Sequence, residues 1–135
     1  SNFRKIKIKK DKPIVALISQ NFLKTINCNN LFESIKQYPL FWIILIGTDS
    51  NLLEDEFDNL LELESSKNNN MLNVVTTNFQ FSDLTITDIE DIAYEFLFLP
   101  CPNGNCQYLS FLDLNHTADR KIFDFIETQL NNKTT

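Results

Sequence analysis

Phe41-Trp42-Ile43-Ile44-Leu45-Ile46-Gly47-Thr48-Asp49 decides how this chain folds. Six apolar residues run without a break and then meet a glycine, a threonine and a carboxylate. A short, continuous apolar run bounded by turn residues reads as a strand buried on both faces. Its Gly-Thr-Asp end turns the chain into a helix.

The same alternation extends in both directions. Upstream, Pro13 to Ser19 is continuous, β-branched and short, a second buried strand. Between the two, Cys28, Leu31, Phe32 and Ile35 recur at helical spacing, with Asn27 or Asn29 as cap and Pro39 as terminator. Downstream, a helix over Asp49–Ser65 places Leu53, Phe57, Leu60 and Leu61 on one side and Glu54, Asp55, Asp58 and Glu62 on the other. Leu72–Phe79 reads as a strand around Val74-Val75-Thr76-Thr77. Thr87-Asp88-Ile89-Glu90 reads as a capping box that opens a third helix, with Ile89, Ile92, Ala93 and Phe96 as its buried stripe. Gln107–Leu114 is a further strand, and Thr117 caps a last helix carrying Ile122, Phe123, Ile126 and Leu130. Strand then helix, repeated, predicts an α/β domain: one three-layer unit over residues 3–131, with a mainly parallel sheet of four to five strands and helices on both faces. The extra strand would be Arg4–Lys10, where Lys alternates with Ile as on a charged sheet edge. Ser1-Asn2 reads as a tag remnant, and residues 132–135 as a frayed tail.

Composition narrows the chemistry. The chain has 135 residues, 43% of them apolar, enough for one core. Its net charge of −6 argues against nucleic acid as a partner. The longest apolar run falls short of the ~20 residues a membrane helix needs, so no membrane partner is expected. Three cysteines and no secretory leader point to a reducing cytoplasm. There are two glycines, Gly47 and Gly104, too few for a phosphate-cradling loop, so no nucleotide cofactor is expected. The single histidine, His116, restricts general-base chemistry.

Ligands of open α/β sheets sit beyond the C-terminal strand ends. Those ends offer Ser19, Asp49, Asn78 and His116, which supply the residue types of a nucleophile, an orienting acid and a base. They support a small hydrolase or a ligand-binding domain, although no Gly-x-Ser-x-Gly elbow surrounds Ser19 and Asp49 occupies an ordinary helix-cap position. Cys101 and Cys106 would need Cys28 or His116 to complete a zinc site; their x4 spacing suits loop thiols better, and no metal is expected.

The charge distribution is the most unusual feature. From Asp49 to Glu95 there are twelve acidic residues against Lys67 alone, a net −11, whereas residues 3–12 carry a net +5. A charge run is often only a solvated helix face. It also suits docking against a basic partner, because opposed potentials speed encounter. Tyr94 and Phe98 lie beside the acidic side of the third helix, as aromatic anchors do within charged rims.

Two resemblances bear on function. The strand ending Gly47-Thr48-Asp49, the acidic helix with Glu54-Asp55-Glu56-Phe57-Asp58, Val74-Val75-Thr76-Thr77, and the helix with Glu90 and Glu95 together resemble a group of small uncharacterised bacterial domains over Phe41–Phe98. Ile46 and Asn78-Phe79 depart from that group's pattern. In overall character the acidic, Asn-rich chain resembles immunity proteins of bacterial toxin systems, including those of contact-dependent growth inhibition. That resemblance implies a non-enzymatic cytoplasmic inhibitor, monomeric or weakly dimeric, of a toxin domain with a basic surface, commonly a nuclease. The residues expected to meet the toxin are Asp49, Glu54, Asp55, Asp58, Glu62, Asp88, Asp91, Tyr94 and Glu95.

Overall fold

The computed structural model describes residues 8–133. Four strands and four helices alternate: β1 (Ile14–Ser19), α1 (Cys28–Ile35), β2 (Leu40–Gly47), α2 (Ser50–Ser65), β3 (Val75–Gln80), α3 (Ile86–Leu97), β4 (Gln107–Phe111) and α4 (Thr117–Lys133). The sheet is wholly parallel with strand order β3-β2-β1-β4. The expected fifth strand is not seen: Ile8 to Lys10 form no strand, and residues 4–7 lie outside the described residues.

β1 and the second half of β2 are buried along both faces. That is why their sequences are continuously apolar rather than alternating. α1 and α2 cover one face, where Leu31, Phe32, Phe57 and Leu61 meet Ala16, Ile18, Ile43 and Leu45. α3 and α4 cover the other, where Ile92, Phe96, Ile122 and Ile126 meet Val15, Leu17, Ile44 and Ile46. The chain steps outward from β1 to β2 to β3, then crosses back to lay β4 on the far side of β1. The connections leaving β1 and β4 therefore run to opposite faces, which makes their C-terminal ends the topological switch point.

Two boundaries shift for local reasons, and one short turn is added. β3 begins at Val75 because Asn69–Asn73 form a 3-10 turn started by the Asn68 side chain, which accepts from Asn70 N. α3 begins at Ile86 because the capping box is Thr85 with Asp88, not Thr87 with Glu90. A short 3-10 turn over Phe22–Lys24 follows β1.

Candidate functional site

The four residues proposed from the strand ends are not brought together. The Ser19 hydroxyl donates to Asp119 Oδ2 at 2.6 Å and accepts from Phe22 N at 3.1 Å. Asp49 Oδ2 accepts from Gln20 Nε2 at 3.0 Å and makes no helix-cap bond, although it occupies the cap position of α2. Asn78 donates to Glu54, and His116 Nε2 lies 3.7 Å from Asp113 Oδ2. A cleft of about 140 Å³ at the ends of β1 and β2 is lined by Ser19, Gln20, Asn21, Lys24, Ile46, Gly47, Thr48 and Asp119. Neither Asn78 nor His116 is among its walls.

What the strand ends do contain is a structural knot. Asp119 is 1% exposed and stands in the first turn of α4. Its carboxylate accepts from Ser19 Oγ, from Asn21 Nδ2 at 3.1 Å and from Asp113 N at 2.7 Å. Three donors from two strand ends satisfy a carboxylate that has no basic partner among the described residues, which is how a buried polar group is tolerated. The signal was in the sequence: Asp119 precedes Ile122 and Ile126 by three and seven positions, so it shares their buried stripe. Gly47 completes the knot. At φ +140° it takes a backbone conformation that L side chains rarely adopt, and a Cβ there would lie 2.6 Å from Gln20 Cβ. That approach lets Gln20 Oε1 accept from Asp49 N at 2.8 Å.

The cysteines form no metal centre. Cys28 packs on the α1–α2 face, Cys101 and Cys106 on the α3–α4 face. Among the described residues no group of three His, Cys, Asp or Glu is placed to hold a metal. Burial, followed by the influence of Glu56, pushes the Cys28 thiol up to about 12; burial, followed by neighbouring Cys101, does the same for Cys106.

The acidic helices divide between the two faces: α2 lies with α1, and α3 with α4. They do not make one continuous surface, so the expected site residues fall into two groups. On α3, Asp88 is spent on the cap, accepting from Thr85 N at 3.0 Å. Asp91 is exposed, and Glu95 is half-buried. Tyr94 is 60% exposed and rests on Phe98 with ring centroids 5.8 Å apart.

On α2 the arrangement is denser. One flank faces α1, where Glu64 meets Lys36 at 3.0 Å and Glu56 lies near Cys28. The opposite flank carries Glu54 and Asp58 toward β3, with Asp55 and Glu62 exposed on the same helix. Glu54 and Asp58 both accept from Thr76 Oγ1, and Glu54 also accepts from Asn78 Nδ2. Gln80 Nε2 donates to Asn51 Oδ1 at 2.9 Å and to Thr48 O at 3.0 Å. The helix-facing side of β3 is thus polar at Thr76, Asn78 and Gln80. Glu54, Asp58 and Glu62 stand four residues apart, about 6 Å per step along the helix. Like charges at that spacing cost a helix about 0.2–0.5 kcal/mol per pair. Of the twelve carboxylates from Asp49 to Glu95, only Glu64 is ion-paired among the described residues.

Comparisons with family models, curated proteins and solved structures return no match to this chain. No helix among the described residues is long and apolar enough to cross a membrane.

Proposed function

We propose that this chain is a non-enzymatic immunity protein that blocks a bacterial toxin domain by covering a basic surface, as on a nuclease. The observation that carries the reading is the row of carboxylates on the outer flank of α2, none of which is ion-paired among the described residues. Like charges four residues apart, and acids without a base in the last turn, lower the stability of the helix that carries them. The row matches Lys or Arg lining a substrate groove, and cationic side chains that hold phosphates would be neutralised by it. The inhibitor acts in the cytoplasm, as a monomer or weak dimer, without metal or cofactor.

The alternative, a small hydrolase or ligand binder at the strand ends, has less support. The cleft there has the volume of about five water molecules, well below the usual range for organic ligands. The Ser19 hydroxyl faces a carboxylate rather than His116.

Co-expression with the C-terminal domain of a secreted toxin encoded beside this chain tests the proposal. The two should co-purify, cell growth should be restored, and the complex should weaken as salt is raised. A domain that kills equally well in the presence of this chain would refute it.

A further inference from the structure

The outer edge of β3 is unusual. β3 is paired with β2 on one side, and no described strand pairs with it on the other. Sheet edges are normally blunted by lysine, proline, a bulge or a covering element. Val75-Thr76-Thr77-Asn78-Phe79-Gln80 has no charge and no proline, and it pairs with β2 without a register shift. Its six residues span roughly 20 Å, long enough to template another strand.

The two sides of this edge differ. Side chains of a strand alternate between faces. Thr76, Asn78 and Gln80 face α2, whose flank adds the carboxylates of Glu54 and Asp58. Val75, Thr77 and Phe79 face the other way. Thr77 Oγ1 accepts from Trp42 Nε1 at 3.3 Å, Phe79 packs against the second core cluster, and Val75 is 36% exposed. A strand laid against this edge would continue the alternation, with one set of side chains under the acidic flank and the other beside Trp42, Val75 and Phe79.

We infer that the β3 edge accepts an added strand from the partner protein, an extended segment in which Lys or Arg alternates with apolar residues. Main-chain hydrogen bonds to β3 supply affinity, and the acidic flank and apolar strip select the sequence. Charge complementarity with α2 specifies the basic positions. This rests on the proposed role of the α2 carboxylates and adds the mode of recognition. This chain's own Arg4–Lys10 has the same alternation, so a second copy is the competing occupant.

The test uses the intact protein and two synthetic peptides of equal composition, one alternating lysine with valine and one with its lysines in a block. Backbone amide shifts and hydrogen exchange are followed at Val75–Gln80. The alternating peptide should bind about tenfold tighter and slow exchange at β3 amides, and Val75→Lys should remove that preference while the fold persists. Equal binding of both peptides without protection of β3 would overturn strand addition and leave the charge-based reading standing. Protection of β3 in the protein alone, lost on dilution to monomer, would assign the edge to a second copy instead. Binding of neither peptide would overturn both the strand mode and the acidic flank's attraction for basic segments.

Discussion

Two carboxylate clusters in this molecule look alike in sequence and differ in physics. Asp119 at the switch point is buried, and three donors from two strand ends converge on it. Glu54 and Asp58 on α2 also accept from a neighbouring strand, but they sit at the surface among further carboxylates. The first cluster closes on itself and holds β1, β4 and α4 together. The second keeps an excess of negative charge that the described residues do not neutralise. A carboxylate's role here follows from how many of its lone pairs the fold uses, and from how much like charge stands beside it.

That contrast can be broken most sharply at Asp119. Asp119→Ala removes the acceptor for a buried hydroxyl, an amide and a backbone N–H. It should destabilise the protein by about 3 kcal/mol in chemical denaturation. A loss under about 1 kcal/mol would mean that the knot is not structural. Gly47→Ala should cost about 2 kcal/mol, since its Cβ would meet Gln20 on a backbone poorly suited to alanine. Double substitution with Gln20→Gly, which removes the Cβ that the new side chain would meet, should recover part of that loss, which a purely conformational penalty would not allow.

The buried thiols sharpen the contrast in pH. Cys28 and Cys106 titrate near 12 in the folded chain, against an ordinary thiol value of 9.0. Their folded-state values are raised, so the stability they contribute is complete below pH 9.0 and is lost as pH rises toward about 12. Denaturation midpoints should fall across that window, and the fall should shrink in Cys28→Ala/Cys106→Ala. A flat profile would contradict the burial described. The smallest effect belongs to Glu54→Gln/Asp58→Asn. These substitutions keep an acceptor for Thr76 and Asn78 and relieve like-charge repulsion, so stability should change by less than about 0.5 kcal/mol.

Much of the fold was legible. Apolar runs at β1 and β2, helical stripes on α1, α3 and α4, and the alternation of elements specified the parallel α/β sheet. The site was only partly legible. A helical wheel shows which residues of α2 and α3 are acidic, but not which face of the sheet each helix covers. That depends on strand order, because a helix leading outward to β3 and one leading back to β4 lie on opposite faces. Local rules also missed single contacts. Asp49 occupies the cap position of α2, yet its side chain is engaged by Gln20, and Thr85 takes the cap of α3 in place of Thr87. Asp119 reads locally as a solvated dipole partner, the ordinary role of a carboxylate in a first helical turn. Its burial comes from β1, one hundred residues away in sequence.

The division of the acidic helices gives the most direct measurement. Affinity for the proposed partner, a toxin domain with a basic surface, should be compared by calorimetry for Asp55→Lys/Glu62→Lys on α2 and Asp91→Lys/Glu95→Lys on α3. The α2 pair should lose about a hundredfold or more, and the α3 pair should stay within about threefold of the unmodified chain. Equal losses from both pairs, or a loss confined to α3, would contradict the assignment of binding to the outer flank of α2.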